Sequence, residues 1–276
     1  MTLPTGVAAS IPQKVTGLVA LDVDGTVLLG DEKTFGPGTV DAIAHAVSAG
    51  NEVMLATGRS WAGTEWVMRE LGIESEFVVC SNGAVVMRRN GDGYERFHTE
   101  TFDPSEVLDL LVQNIPDAHY MVELPDGHRL YTEPLDHWNL ADATQVPFAE
   151  LSAQAVSRVV VVSPGQTDED FMELVEHIGL HHVSYAIGWT AWLDIAPLGV
   201  DKSTGLELVR RELDVDGSRV VAVGDGRNDL GMFAWAREHG GRAVAMAQAP
   251  QEVKDAASEV TASVADGGAA AILRRL

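Results

Sequence analysis

Val15 to Leu21 is an almost unbroken apolar run that ends directly in Asp22-Val23-Asp24-Gly25-Thr26. A strand that is apolar on both faces needs cover on both faces, which places it inside a sheet rather than at a solvated edge. The following segments keep one rhythm. Val40–Ala49 reads as a helix stopped by Gly50, Val53–Ala56 as a strand, Trp61–Leu71 as a helix and Phe77–Cys80 as a strand. Strands and helices alternating at this spacing build a parallel sheet with helices on its faces.

The last third repeats the pattern. Lys202–Leu213, Leu230–Arg237, Gln251–Ala257 and Gly268–Arg275 read as helices, with strands at Arg219–Val223, Ala243–Met246 and Val260–Ala262. These two thirds form one interrupted domain. The middle third differs: Asp103-Pro104-Ser105-Glu106 has the spacing of a helix capping box, and Pro125-Asp126-Gly127 is a turn between strands at Tyr120–Leu124 and Arg129–Thr132. Strands at Ser157–Val162 and Val183–Ile187 and a helix at Asp168–Ile178 complete a small α+β unit with its own sheet.

Charge limits the partners. The 276 residues carry 19 Lys plus Arg against 41 Asp plus Glu, a net charge of −22, and the stretch Val85–Trp189 holds five Arg and no Lys against eighteen acids. Such a field repels nucleic acid and anionic lipid, and a small anionic substrate needs a local cation to approach. The apolar share of 46% excludes disorder as the main state. Runs such as Val159–Val162 fall far short of the roughly 20 residues that cross a bilayer. Met1 to Lys14 lacks a basic start followed by an apolar core, so a cytoplasmic protein is expected. The single cysteine, Cys80, can form no intramolecular disulfide.

Four short stretches carry the chemistry. Asp22 and Asp24, two apart on an extended segment, point to the same side at a strand end, and paired acids there call for a cation. A plain Asx-Gly turn has the same appearance. Gly224-Asp225-Gly226-Arg227-Asn228-Asp229 follows another apolar strand. Oxygen ligands from Asp22, Asp24 and Asp225 suit a hard cation such as Mg²⁺, although a glycine-rich acidic loop is often only a turn. Thr57-Gly58-Arg59 follows a third strand, where backbone N–H groups can approach phosphate oxygens or Thr57 can cap a helix. Lys202 opens a helix, where its charge opposes the dipole; a solvated surface lysine is the ordinary alternative.

These stretches, in this order, strongly resemble the haloacid dehalogenase (HAD) superfamily, and within it the Cof-type sugar-phosphatase-like branch. The resemblance rests on Asp22-Val23-Asp24-Gly25-Thr26, Thr57-Gly58-Arg59, Ser81-Asn82-Gly83-Ala84, Gly199-Val200-Asp201-Lys202 and Gly224-Asp225-Gly226-Arg227-Asn228-Asp229, and it spans nearly the whole chain. It implies a doubly wound, Rossmann-like α/β core over 1–84 and 190–276, with an α/β cap inserted at 85–189 as a lid. It implies a Mg²⁺-dependent phosphatase acting on a small phosphorylated metabolite, with a sugar phosphate as the leading class. Asp22 would be the nucleophile and Asp24 the acid–base. The metal would be held by Asp22, the backbone carbonyl of Asp24 and Asp225, with Asp229 in support. Thr57, Lys202, Asn228 and the N–H groups of Val23 and Gly58 would hold the phosphoryl oxygens, and Arg59 would add positive charge nearby.

A phosphosugar mutase of the phosphomannomutase-like type, and an inactive binding or regulatory protein on the same fold, are the competing readings. The acidic insert speaks against the first, and the presence of Asp22, Asp24, Lys202 and Asp225 against the second. One departure from the branch is Gln248, where Asn is usual, which puts a polar contact there in doubt. In the insert, Asp126, His128, Trp189 and Trp192 are candidates for substrate selection, with packing at the domain junction the plainer role for the two tryptophans. Seven of nine histidines lie there too: His98, His119, His128, His137, His177, His181 and His182. His177 and His181 have metal-clamp spacing, but a helix end favours histidine without a metal.

Overall fold

A computed structural model describes residues 15–31, 33–135, 140, 142–164, 167–178, 180, 183–187 and 192–276. Trp189, His137, His181 and His182 lie outside the described residues. The first part of the chain runs β1 (Gly17–Leu21), α1 (Thr39–Ser48), β2 (Asn51–Leu55), α2 (Trp61–Leu71), β3 (Phe77–Cys80), β4 (Val85–Asn90) and β5 (Gly93–Thr99). The middle holds α3 (Ser105–Asn114), β6 (His119–Glu123), β7 (Arg129–Tyr131), β8 (Ala143–Gln145), β9 (Arg158–Val162), α4 (Asp168–Ile178), β10 (Val183–Ile187) and β11 (Trp192–Pro197). The last part holds α5 (Lys202–Glu212), β12 (Val220–Gly224), α6 (Leu230–Glu238), β13 (Arg242–Ala245), α7 (Gln251–Ala256), β14 (Glu259–Val260) and α8 (Gly268–Leu273).

The architecture is α/β: a parallel core sheet with an inserted second sheet. The core order is β14-β13-β12-β1-β2, every pairing parallel. β1 lies between β12 and β2 and is buried along its whole length, as its apolar run requires. One apolar cluster, with Val19, Leu21, Ile43 and Val67, packs one face of this sheet, and a second, with Leu18, Ala20, Leu206 and Phe233, packs the other. A parallel bridge from Ala56 to Val79 places β3 beside the end of β2.

The insert sheet has the order β10-β11-β9-β6-β7-β8, mostly antiparallel. Helices α3 and α4 cover one face through Leu108, Leu111, Phe171 and Val175. At the start of α3 the expected capping box takes another form. The Asp103 carboxylate accepts from the Ser105 N–H at 2.9 Å and the Ser105 hydroxyl at 2.6 Å, so Ser105 fills the place expected for Glu106.

By packing, two segments side with the other unit from the one their sequence position suggests. The hairpin β4–β5 lies within 85–189, yet Val85 and Met87 join one core cluster and Val86 the other. β11 lies beyond Trp189, yet it pairs with β9 and β10. Where the chain passes between units, the Glu100 N–H donates to the Ala84 carbonyl at 2.8 Å, and Ala84 packs with Ala196 and Val200. Among the described residues no helix is long and apolar enough to cross a membrane.

Candidate active site

The motif residues meet at the carboxyl ends of β1, β2, β3 and β12, where open α/β sheets bind ligands. The loop after β1 is tied to the neighbouring strand by the Asp22 N–H, which donates to the Val223 carbonyl at 2.9 Å. Gly25 takes φ 77°, and a Cβ there would lie 2.1 Å from Asp225 Oδ2. Glycine at this position is what lets the β12 loop bring its carboxylate against the β1 loop.

Lys202 sits at the first position of α5, fully buried. Its Nζ donates to Asp22 Oδ1 at 2.5 Å and to Asp229 Oδ1 at 2.7 Å. The helix dipole opposes a lysine here, and the two carboxylates outweigh that opposition. Asp201 caps the helix by accepting from the Ser203 N–H at 2.7 Å, while Thr204 Oγ1 accepts from the Asp201 N–H at 3.3 Å. The reciprocal cap fixes where the lysine stem begins.

Among the described residues, Asp22, Asp225 and Asp229 bring carboxylate oxygens within 4.8 Å of one another, all buried. Asp229 is already engaged: Oδ1 accepts from Lys202 and Oδ2 from the N–H groups of Asp225 and Gly226, at 2.8 and 2.9 Å. Burial pushes the Asp22 carboxyl well above its usual value, Lys202 opposes, and Asp229, Asp225 and Asp24 push further up. Burial and then Asp229 raise Asp225 to about 6. Burial disfavours the Lys202 charge, but Asp22 and Asp229 more than compensate and hold it above its ordinary value. Three buried carboxylates around one ammonium leave negative charge unbalanced. The all-oxygen donor set of Asp22 and Asp225 fits a hard divalent cation, with Asp229 positioning its neighbours.

Asp24 points elsewhere. It is exposed, and both its carboxylate oxygens accept from Arg59, at 2.8 Å from Nε and 2.6 Å from Nη2. Thr57 is fully buried, with Oγ1 accepting from the Arg59 N–H at 3.1 Å. Gly58 lies against the Asn82 side chain. Asn228 donates to Asn82 Oδ1 at 3.1 Å, and Asn82 in turn donates to Asp194 Oδ2 at 2.6 Å. Val23, Thr57, Gly58, Lys202, Asn228 and the acids thus share one group of loops.

Gln248 resolves the doubt attached to it. Its Nε2 donates to the Gly25 carbonyl at 2.6 Å and to Asp225 Oδ2 at 3.2 Å, while its Oε1 accepts from the Val264 N–H at 3.1 Å. The longer side chain makes a polar contact to the acidic loop.

The insert candidates are not drawn into this group. Asp126 Oδ1 accepts from the His128 N–H at 2.9 Å, and the His128 ring meets Thr144 Oγ1 at 2.9 Å on the exposed side of the sheet. Trp192 packs with Met121 and Val160 under the Arg158 guanidinium, 5.9 Å from the ring centroid, so its place is the packing one. His177 is exposed. Burial pushes the Cys80 thiol up to about 12, so it is no nucleophile at neutral pH.

Sequence reasoning passed over Asn82, Asp194 and Arg158 as site residues. Arg158 Nε donates to Asp194 Oδ1 at 2.5 Å, both buried within the insert sheet, and the Asn82 bond to Asp194 joins that sheet to the Asn82 loop. The available signal was a single charge within each of two otherwise apolar strands.

The haloacid dehalogenase-like hydrolase family model matches residues 19–273. The chain is 28% identical over 274 residues to the 5-amino-6-(5-phospho-D-ribitylamino)uracil phosphatase YitU of Bacillus subtilis, covering 93% of this chain and 96% of the relative. It is 28% identical over 270 residues to the pyridoxal phosphate phosphatase YbhA of Escherichia coli, covering 89% and 93%. In fold it is similar to TM0651 from Thermotoga maritima, with TM-score 0.73, 23% identity, and 95% and 98% of the two chains covered. A HAD subclass IIB sugar phosphatase, BT4131, superposes with TM-score 0.76 at 22% identity, covering 94% and 98%. With the motifs in order at the strand ends and the family match running across both units, the chain belongs to the haloacid dehalogenase-like hydrolases and is an enzyme of the phosphatase type.

Proposed function

We propose that the protein is a Mg²⁺-dependent phosphatase that hydrolyses a small phosphorylated metabolite, a sugar phosphate being the leading class, through an aspartyl-phosphate on Asp22. The observation that carries this reading is the buried contact of Lys202 with Asp22 and Asp229, beside Asp225. A carboxylate attacking an anionic phosphate needs cations to offset repulsion, and here one cation is built in and a set of oxygen donors awaits another.

Asp22 Oδ attacks phosphorus while the ester P–O bond breaks, and Asp24 gives its proton to the departing oxygen. Water then attacks the phosphorus of the aspartyl-phosphate, Asp24 takes the water proton, and the bond from phosphorus to the Asp22 oxygen breaks to free phosphate and restore Asp22. Thr57, Lys202, Asn228 and the N–H groups of Val23 and Gly58 hold the phosphoryl oxygens during both steps. Asp22, the Asp24 carbonyl and Asp225 would hold Mg²⁺, which supplies charge stabilisation on the phosphoryl group. Arg59 orients Asp24. The insert is the lid that covers the strand ends, and the enzyme works in the cytoplasm as one without nucleic-acid or membrane partners, in keeping with its net charge of −22.

The test is phosphate release from a panel of sugar phosphates with Mg²⁺ and with a chelator. Mg²⁺-dependent release that stops in Asp22→Asn is the expected result. Conversion of a hexose 6-phosphate to an isomer without free phosphate, or a phosphoryl group trapped on another residue, overturns the reading.

A further inference from the structure

A cavity of about 370 Å³ lies between the core hairpin β4–β5, the start of α2 and the β6–β7 turn of the insert sheet. Trp61 and Tyr94 line it, their ring centroids 5.0 Å apart. Its lining includes the exposed carboxylates of Glu95, Asp126 and Asp142. Its buried wall holds Glu123 and Arg129.

Arg129 is the buried cation of that wall. It is only 5% exposed, it lines the cavity, and its guanidinium makes no hydrogen bond or ion pair among the described residues. Beside it, Arg96 Nη2 donates to Glu123 Oε1 at 2.6 Å, while Arg96 Nη1 is buried without a hydrogen-bond partner. Gly127 in the turn takes φ 94° and lets the backbone come so close that a Cβ would lie 2.5 Å from Arg96 Nη2. The turn is therefore shaped around this guanidinium.

The remaining cations of the acidic stretch are accounted for. Arg88 and Arg89 pair with Glu76 and Glu74, and Arg158 pairs with Asp194. Arg129 alone of the five makes no ion pair among the described residues; Glu123 stands opposite it across β6 and β7 but pairs with Arg96. None of its nitrogens is among the buried side-chain atoms that lack a partner, so the guanidinium is open to the cavity and its permanent charge faces an incoming anion. Its planar fork matches a carboxylate or a phosphate.

We infer that this cavity recognises a second acidic group, a carboxylate or another phosphate, on the part of the substrate that leaves, with Arg129 as the specificity-determining residue. Trp61 and Tyr94 pack on the body of the ligand, and the exposed carboxylates accept from its hydroxyl or amino groups. The inference rests on the phosphatase reading of the neighbouring site: Ser60 in the cavity wall directly follows Arg59, which holds Asp24. The enzyme then selects, among phosphorylated metabolites, those that carry a second anion.

The experiment compares wild type and Arg129→Met, with Mg²⁺, on two matched pairs. Glycerol 3-phosphate against 3-phosphoglycerate tests a carboxylate, and ribose 5-phosphate against ribose 1,5-bisphosphate tests a second phosphate. Both kcat/KM and the ligand-induced rise in Tm are read. Wild type should favour the more acidic member of one pair by about 10- to 100-fold, the range for hydrogen bonds to charged groups. Arg129→Met should bring that ratio near one, leave the other member within about threefold, and melt no lower than wild type without ligand. Arg129→Lys, which keeps the charge but not the fork, should retain part of the preference. Absence of a preference in both pairs, survival of the preference in Arg129→Met, or a lower ligand-free Tm with equal losses on both members overturns the inference. Hydrolysis of no compound overturns the phosphatase reading instead, and the Tm shifts then still decide whether the cavity selects the second anion.

Discussion

The Arg59 guanidinium grips Asp24 by both carboxylate oxygens, at 2.8 and 2.6 Å, so the acid two residues beyond Asp22 is oriented by a side chain from the loop after β2. In the proposed mechanism the same carboxylate reaches the leaving oxygen, and Arg59 sets the direction from which it does so.

Asp24→Asn should slow phosphoenzyme formation from alkyl phosphates by about 10²–10⁴, the usual worth of general acid catalysis, and from a nitrophenyl phosphate by much less. Arg59→Ala should shift the ratio between the two substrates in the same direction but by less, because it orients the acid without being it. Rapid-quench measurement of both substrates checks this. Equal slowing of both in Asp24→Asn would assign Asp24 a purely structural role.

Lys202→Met removes the one ammonium among three buried carboxylates. Phosphatase activity should vanish, and stability at pH 7 should fall by about 3–5 kcal/mol, the cost of leaving buried charges unpaired. Since burial already raises Asp22, protonation relieves the loss, and the deficit should shrink at pH 5. Denaturant titration at the two pH values measures it; a deficit independent of pH would show that the lysine acts by packing alone.

Asp225 gives the metal-free protein a distinct pH dependence. Its carboxyl is raised from 3.8 to about 6, so the folded state holds a proton that the unfolded chain has released. That contribution is present below 3.8 and lost as pH rises through about 6. Mg²⁺ displaces the proton and should therefore raise Tm more at pH 7 than at pH 5, whereas Asp225→Asn should abolish most of the difference. Scanning fluorimetry with and without Mg²⁺ decides the point, and an equal Mg²⁺ effect at both pH values would remove Asp225 from the metal site.

Gln248 joins the Gly25 carbonyl, Asp225 and the Val264 N–H. Gln248→Ala should raise the Mg²⁺ concentration for half-maximal activity by about 10-fold, within the range for residues that orient metal ligands. Gln248→Asn, one methylene shorter, should fall between the two. Mg²⁺ titrations of activity provide the measurement, and unchanged half-saturation in Gln248→Ala would limit the residue to loop closure.

The parts of the fold most legible in the sequence are those buried on both faces or bounded by strong stop signals. β3, α2, α4 and β10 occupy the residues expected, and β1 begins two residues later than its apolar run. The hairpin β4–β5 was passed over because Arg88, Arg89, Asn90, Asp92 and Glu95 dominate its composition, while Val85, Val86 and Met87 alone announce its core contacts. β11 was hidden because Asp194 interrupts its apolar residues. Asp22, Asp24, Asp225 and Thr57 were legible because each follows an apolar run, and Lys202 only through the resemblance carried by Gly199-Val200-Asp201-Lys202. Asn82–Asp194–Arg158 was not, because its contacts span separations of 112 and 36 residues and two sheets. Arg129 was equally silent: a lone cation beside a turn gives no hint of its burial.

The packing of Ala84 with Ala196 and Val200, under the bond from Glu100, brings the outgoing and returning chain to one small apolar spot. The second unit is thereby a cassette whose two ends are neighbours. Another cassette of different length could be spliced at the same spot without moving β1 or β12, so the strand-end loops and the inserted sheet are free to evolve at different rates.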